Sequence, residues 1–364
     1  MKIAILGFTK IKYLTYMHFY LNQMDLGKDE VHLIYWQRDR LPDSPLPEGV
    51  TGHAFDYPMS DAVPLRKKVP GILKYGQFAG KTIRRLNPDF LVVLHSTTGV
   101  SIYPLLKGTY KKRYIFDYRD VTYEHYGFYR RAVGNIVKNA CVSFTSSDGF
   151  RKFLPPDEEI RTSHNISNLS FHEVCKAEPP REAHTPIRIA FWGLIRNQAI
   201  NEALIERLGG DERFELHYYG RAQGAMLEML NHSTERFSNV FFHGEYAPDD
   251  RLEMARNTDI IHNMYNKTDK TSHIAMGNKY YDGPLFYLPQ LCTTGSLMGS
   301  LCEKYGIGLA CDPADEDFAD RIWAYYTSLD QASFREACER EFDRVITQVE
   351  EGNQRIKEVL EHAR

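Results

Sequence analysis

The chain has 364 residues and a formal net charge of -3, with 43% hydrophobic and 26% charged residues. This length predicts two domains with separate cores, and the composition is that of a globular protein. The weak negative charge argues against bulk binding of nucleic acid. The six cysteines show neither a CxxC pair nor zinc spacing, which predicts free thiols in a reducing compartment.

The first half opens with a predicted βαβ unit. Strands are expected at Ile3–Leu6 and Val31–Tyr35, with a helix at Tyr13–Met24 between them. Gly7 follows the first strand, but no G-x-G-x-x-G is present, so a dinucleotide cofactor is disfavoured. The first apolar run ends at Gly7 and is too short for a signal peptide or a membrane span. We therefore expect a cytoplasmic protein.

Residues 64–86 are predicted to form a basic amphipathic helix. Its basic residues are Arg66, Lys67, Lys68, Lys74, Lys81, Arg84 and Arg85. One interpretation is a solvated helix face. The other is a surface that rests on anionic lipid, where each basic residue adds about 1 kcal/mol.

Polar side chains follow two predicted buried strands of the first half. His95 follows Phe90–Leu94, and the sequence Asp117-Tyr118-Arg119-Asp120 follows a strand that begins at Tyr114. The exits of neighbouring parallel strands open into the same crevice, so these side chains are expected at one rim. A structural loop histidine and an internal salt-bridge cluster remain the alternatives.

The second half repeats the α/β pattern after a charged, proline-rich segment at 172–186, which is predicted to be a linker. A strand is expected at Ile187–Trp192, and its exit loop contains Gly193, Arg196 and Asn197. Arginine suits a phosphate ligand because its planar fork pairs with two oxygens, although a surface salt bridge is the alternative. A polar loop is expected at 266–273.

The most informative stretch is Met276–Pro313. Gly277 and Asn278 are predicted to open a helix whose first turns carry Lys279 and Asp282. A helix N-terminus attracts anions through its unpaired N–H groups and its dipole. Lys279 adds a full positive charge, and Asp282 can accept hydrogen bonds from vicinal hydroxyls such as those of a ribose.

This segment, together with the following strand Gln290–Thr293, resembles the donor-nucleotide motif of GT-B glycosyltransferases, in the retaining, family 4-type group that builds bacterial capsule and exopolysaccharide chains. Members carry Asn-Lys-x-x-acid and then a Gly-x-Pro turn. Here Leu288-Pro289-Gln290 replaces that turn, and Ile274 occupies the position of a second acid that many members have.

The resemblance implies an α/β fold of two Rossmann-like domains facing a cleft, with C-terminal helices packing back on the first domain. The corresponding boundaries are 1–171 for the acceptor domain, 172–186 for the linker, 187–340 for the donor domain and 341–364 for the returning helix.

It also implies roles for individual residues. The donor-binding set is Gly193, Arg196, Asn197, Gly277, Asn278, Lys279 and Asp282. The acceptor-binding set is Gly7, Asp117 and Arg119, and His95 or Asp120 would orient the acceptor hydroxyl as the catalytic group.

The expected reaction moves a sugar from a nucleotide-diphosphate sugar to a glycan or lipid-linked glycan at the inner face of the cell membrane. Retention of configuration follows from the resemblance alone. No Asp-x-Asp motif stands where the other major glycosyltransferase fold would place its metal site, so neither a metal nor another cofactor is expected. Two alternatives stay open: a non-hydrolysing UDP-sugar 2-epimerase, and a catalytically silent partner protein that binds a nucleotide sugar.

Overall fold

The computed structural model describes residues 1–39, 41–60, 63–156, 158–166, 169–266 and 271–364. Part of the polar loop expected at 266–273 therefore lies outside the described residues. The chain divides into two compact units. The first unit consists of residues 1–164 and 347–364, and the second unit of residues 165–346.

The first unit is built on a sheet of seven parallel strands in the order β3-β2-β1-β4-β5-β6-β7. The strands are β1 (Lys2–Leu6), β2 (Glu30–Gln37), β3 (Val50–Asp56), β4 (Phe90–Leu94), β5 (Tyr114–Tyr118), β6 (Val142–Thr145) and β7 (Ile160–Thr162). Every residue of β4 and β5 is buried, because helices cover both faces of a central parallel strand.

Five helices belong wholly to the described part of the first unit. They are α1 (His18–Leu21), α2 (Leu65–Leu86), α3 (Ser96–Ser101), α4 (Tyr103–Lys107) and α5 (Gly127–Asn139). The predicted long helix at Tyr13–Met24 is wrong, since two 3₁₀ turns precede the four-residue α1. The carboxylate of Asp43 accepts from the N–H groups of Ile11 and Lys12 at 3.0 and 2.9 Å, which stabilises the tight turn.

The second unit has six parallel strands in the order β10-β9-β8-β11-β12-β13. They are β8 (Ile187–Trp192), β9 (Phe214–Tyr219), β10 (Val240–Gly244), β11 (Ile260–Asn263), β12 (Gln290–Thr293) and β13 (Gly308–Cys311). Its helices are α6 (Ser170–Ala177), α7 (Gln198–Leu208), α8 (Ala225–Arg236), α9 (Arg251–Arg256), α10 (Asn278–Phe286), α11 (Leu297–Tyr305) and α12 (Phe318–Thr327).

The segment predicted as a linker, 172–186, begins inside helix α6. His172 and Cys175 are buried, and the hydroxyl of Tyr287 lies 3.1 Å from the His172 ring. The three-residue spacing puts both side chains on one helical face that packs on the second unit. The charged, proline-rich character that indicated a linker starts only at Glu178.

The last helix, α13 (Gln331–Ala363), enters the first unit at residue 347. Ile356 and Leu360 are buried in the same hydrophobic cluster as Ile3 of β1. Arg355 pairs with Glu159 at 3.0 Å. The predicted return of the C-terminal helix to the first domain is therefore confirmed.

Candidate functional site

A cavity of about 900 Å³ lies in the second unit where strands β8 and β11 end. The carboxyl edge of a parallel sheet is where ligands bind in doubly wound folds. Its lining contains all seven predicted donor-binding residues: Gly193, Arg196, Asn197, Gly277, Asn278, Lys279 and Asp282. Two segments about 80 residues apart in the sequence therefore line one cavity.

Helix α10 begins at this cavity, as predicted. Its N-cap, Gly277, has extended backbone angles and offers no side chain to the first-turn N–H groups. A Cβ at this position would lie 2.5 Å from the Tyr265 hydroxyl oxygen, so the helix start fits only glycine closely against Tyr265. An uncapped helix N-terminus of this kind favours a bound anion.

Lys279 is 9% exposed and points its ammonium at aromatic faces rather than at an acid. The Nζ atom lies 4.0 Å from the ring centroid of Phe191 and 5.7 Å from that of Tyr265. No carboxylate pairs with it within the described part of the chain. The ring faces only partly replace lost hydration, so an anionic ligand would stabilise this charge strongly.

Arg196 lies in the exit loop of β8. Gly193 has φ +119°, and a Cβ on Gly220 would lie 1.8 Å from the Gly193 carbonyl oxygen, so both glycines are required for this crossing. Asn197, the N-cap of α7, is left-handed at φ +64° and makes no side-chain cap. The Arg196 side chain is exposed, and the alternative of a surface salt bridge is not observed among the described residues.

Asp282 is 6% exposed, and both of its carboxylate oxygens already accept hydrogen bonds. Oδ2 accepts from Trp192 Nε1 at 2.7 Å, and Oδ1 accepts from the Arg251 guanidinium. The sequence analysis identified neither partner, because no motif links α9 to α10. A ribose hydroxyl would have to use the remaining lone pairs of this carboxylate.

Asn278 is exposed at the mouth of the same cavity. Its Oδ1 accepts from the Asn165 side chain at 2.6 Å. Ile274 closes the 3₁₀ turn that precedes α10, so an aliphatic residue stands there where the resemblance expects an acid.

The predicted acceptor-binding and catalytic residues lie at or just after the carboxyl ends of strands of the first sheet. Gly7 ends β1, and its carbonyl accepts from the Tyr75 hydroxyl at 2.6 Å. His95 ends β4 with φ +81°, and its Nδ1 accepts from the Thr97 N–H at 3.1 Å. Burial lowers the pKa of His95, while Asp120 acts in the opposite direction. The imidazole is thereby favoured in its neutral form.

Asp117 and Arg119 form a buried ion pair with an Nε–Oδ2 distance of 2.9 Å. Asp117 is 0% and Arg119 7% exposed, and the guanidinium carbon lies 4.3 Å from the Tyr16 ring centroid. Asp117 and Arg119 therefore match the alternative of an internal salt-bridge cluster. Asp120 is exposed beside them. The acceptor-binding and catalytic roles in this unit stay predictions.

No group of three or more His, Cys, Asp or Glu side chains in the described ranges is arranged to hold a metal ion. The six cysteines are all free, and Cys141 is the most exposed of them.

No family model and no curated protein matches this chain. Solved structures do match over the full length. Sucrose-phosphate synthase from Thermosynechococcus elongatus has a TM-score of 0.71 at 12% identity, covering 100% of this chain and 98% of that one. HepE from Anabaena, in complex with UDP, has a TM-score of 0.67 at 13% identity and 100% coverage of both chains.

A third structure, the lipopolysaccharide outer core galactosyltransferase WaaB in its apo form, has a TM-score of 0.65 at 13% identity, with 97% of this chain and 99% of that one covered. These neighbours are GT-B glycosyltransferases. The chain therefore has the fold of the GT-B class, with two parallel-sheet α/β domains, as the sequence analysis expected.

Proposed function

We propose that the protein is a glycosyltransferase that binds a nucleotide-diphosphate sugar in its second unit and transfers the sugar to a glycan or lipid-linked glycan. The observation that carries this proposal is Lys279, a buried ammonium without a carboxylate partner among the described residues, at the start of α10. The fold of the structural neighbours supports the same class of reaction.

The leaving group of such a transfer is a nucleoside diphosphate, on which negative charge develops. Lys279, Arg196 and the uncapped N-termini of α7 and α10 border one cavity and would stabilise that charge. Because these groups supply positive charge without a metal, we propose a metal-independent mechanism. Retention of configuration is proposed from the resemblance, with His95 or Asp120 orienting the acceptor hydroxyl.

The first test is a thermal-shift screen of the purified protein against UDP, GDP, dTDP, CMP and NAD, each with and without EDTA. A nucleoside diphosphate that raises the unfolding midpoint in EDTA supports the proposal and names the base. Stabilisation by NAD alone would contradict it. Nucleotide binding without turnover on any acceptor would favour a silent partner protein, which is the function that Ile274 makes the second candidate.

We further propose that α2 contacts an anionic membrane surface. Six basic residues on it, Arg66, Lys67, Lys74, Lys81, Arg84 and Arg85, are exposed together with the apolar Val69 and Leu73. A face that combines exposed cations with apolar side chains suits the interfacial region of a bilayer. No described helix is long and apolar enough to cross a membrane, so the contact would be peripheral.

Co-sedimentation with vesicles tests this surface. Vesicles with 30% phosphatidylglycerol, on the order of one anionic lipid in three, should pellet the protein, whereas pure phosphatidylcholine should not. The double variant Lys74→Glu/Lys81→Glu should stay in the supernatant, and Lys304→Glu on α11 is the matched control. Equal pelleting of all three proteins would contradict the proposal.

A further inference from the structure

We infer that His262 and Asn201 are positioning residues for the cavity of the second unit. They act through hydrogen bonds to the backbone of the loop that carries Arg196. The inference rests on the proposed function, since it assigns these residues to nucleoside-diphosphate binding. Neither residue lines the cavity, and both are only 1% exposed.

The two side chains form one directional chain of hydrogen bonds. The Met264 N–H donates to His262 Nδ1 at 3.3 Å, which places the ring proton on Nε2. His262 Nε2 lies 3.0 Å from Asn201 Oδ1 and donates to it. The Asn201 amide then donates to the carbonyls of Arg196 and Asn197, at 2.7 and 3.1 Å.

These hydrogen bonds connect three of the segments around the cavity: the exit of β11, the first turn of α7 and the exit loop of β8. The far side of the same loop is held by the segment that follows β9, since the Ile195 N–H donates to the Arg221 carbonyl at 3.0 Å. The Arg196 backbone is thus anchored from two directions. The Asn201 side chain adds to the bonds that the Asn197 carbonyl accepts from the Ile200 and Asn201 N–H groups, at 3.2 and 3.4 Å, and so helps to hold Asn197 in its left-handed conformation.

A neutral imidazole is suited to this place because of Lys279. Both residues lie against Phe191, with the His262 ring centroid at 5.4 Å and the Lys279 Nζ at 4.0 Å from its centroid. Burial, and then the Lys279 charge, lower the pKa of His262 to about 3. An ionised carboxylate here could accept from the Met264 N–H but could not donate to Asn201 Oδ1, and it would neutralise Lys279. The His262–Asn201 pair therefore gives polar support while leaving the ammonium for an anionic ligand.

The test compares two variants that break the chain of hydrogen bonds, His262→Leu and Asn201→Ala, with His262→Gln, which keeps an amide donor toward Asn201. Thr258→Val is the control, because Thr258 is a fully buried hydroxyl of the same unit that bonds only to the Met254 carbonyl, at 2.7 Å. UDP affinity by calorimetry should fall about ten-fold or more in the two breaking variants, since small displacements of charged donors are costly. His262→Gln should recover part of this loss, and Thr258→Val should bind as the parent does.

A ligand-free measurement separates the inference from the proposed function. Amide hydrogen exchange in residues 193–201 should be faster in His262→Leu than in the parent and in Thr258→Val. Unchanged exchange in this loop overturns the inference, as does equal UDP affinity of all variants. A parent protein that binds no nucleoside diphosphate would instead contradict the proposed function, and the exchange result would still decide the positioning role.

Discussion

Six strands follow the same order in both units, but the buried and exposed cations near the strand exits differ in their partners. In the first unit Lys10 is 1% exposed, and its ammonium bonds to the Asp39 carboxylate and to the Leu41 carbonyl at 2.7 Å. Arg119 is likewise paired with Asp117. In the second unit Lys279 and Arg196 have no carboxylate partner among the described residues.

The difference shows that the sheet alone does not make an anion site. An internal carboxylate already satisfies Lys10, so a second anion would gain little there and would face repulsion from Asp39. Lys279 offers the same chemical group with its charge uncompensated. The partners of a buried cation, rather than its presence at a strand exit, decide which unit can hold a diphosphate.

The largest effect is expected when the buried Asp117–Arg119 ion pair of the first unit is broken. Arg119→Met leaves Asp117 buried without its partner, which should lower the free energy of unfolding by about 3–5 kcal/mol. The shift of the urea midpoint measures this. Adding Asp117→Asn should restore part of the loss because the uncompensated charge is removed. A change below about 1 kcal/mol would mean that the pair is not buried as described.

Removal of the unpaired Lys279 charge in the second unit should change stability in the opposite direction. Lys279→Met removes a buried charge, so the thermal midpoint without ligand should stay equal or rise, whereas nucleoside-diphosphate binding should weaken by about 1–3 kcal/mol. Lys10→Met is the matched variant and should lose stability while keeping its UDP affinity. Similar stability losses in both variants would contradict the comparison.

A third prediction concerns pH. The pKa of His262 is about 3 in the folded protein, below the roughly 6.5 of an unperturbed histidine. Between these two pKa values, the unfolded chain binds more protons than the folded protein. The buried neutral ring therefore contributes fully to the free energy of unfolding at pH values above the pKa of His262 in the unfolded chain. This contribution is lost as the pH falls toward 3, by up to about 1.4 kcal/mol per pH unit. His262→Gln should be less acid-sensitive than the parent in unfolding experiments between pH 6 and 4, a range set by the histidine pKa of roughly 6.5. Parallel curves would contradict the burial of a neutral ring.

The smallest effect is expected at Arg196, which is exposed. Arg196→Ala should weaken UDP binding by about 1 kcal/mol, the low end of the range for a charged hydrogen bond, and more so at low salt. Stability should change by less than about 0.5 kcal/mol. Arg236→Ala, which removes an exposed arginine of α8, is the control and should leave UDP affinity unchanged.

Much of this architecture could be predicted from the sequence. The strands Phe90–Leu94, Ile187–Trp192 and Gln290–Thr293 were identified at their observed bounds, because apolar runs of that length fit a parallel strand covered on both faces. The start of α10 followed from Gly277 and Asn278. In place of the helix expected at Tyr13–Met24, the chain forms two 3₁₀ turns and the four-residue α1. The first turn is held by Asp43, which is distant in sequence.

The state of the candidate site could not be predicted, because it depends on partners distant in sequence. Nothing in the segment around Lys10 predicts its pairing with Asp39, and nothing around Lys279 predicts that its ammonium lies against the rings of Phe191 and Tyr265. The contacts of Asp282 with Trp192 and Arg251 span 90 and 31 residues. Hydrogen bonds of this kind leave no periodic pattern in the sequence, so the positions of these residues could be predicted but their charge balance could not.

The return of residues 347–364 to the first unit has a consequence for synthesis on the ribosome. Ile356 and Leu360 share a core with Ile3, so that core stays open until the last turns of α13 have emerged. The second unit is continuous from 165 to 346 and can close earlier. Nascent chains should therefore expose the apolar surface of β1 for most of translation, which makes the N-terminal segment the natural target of chaperones.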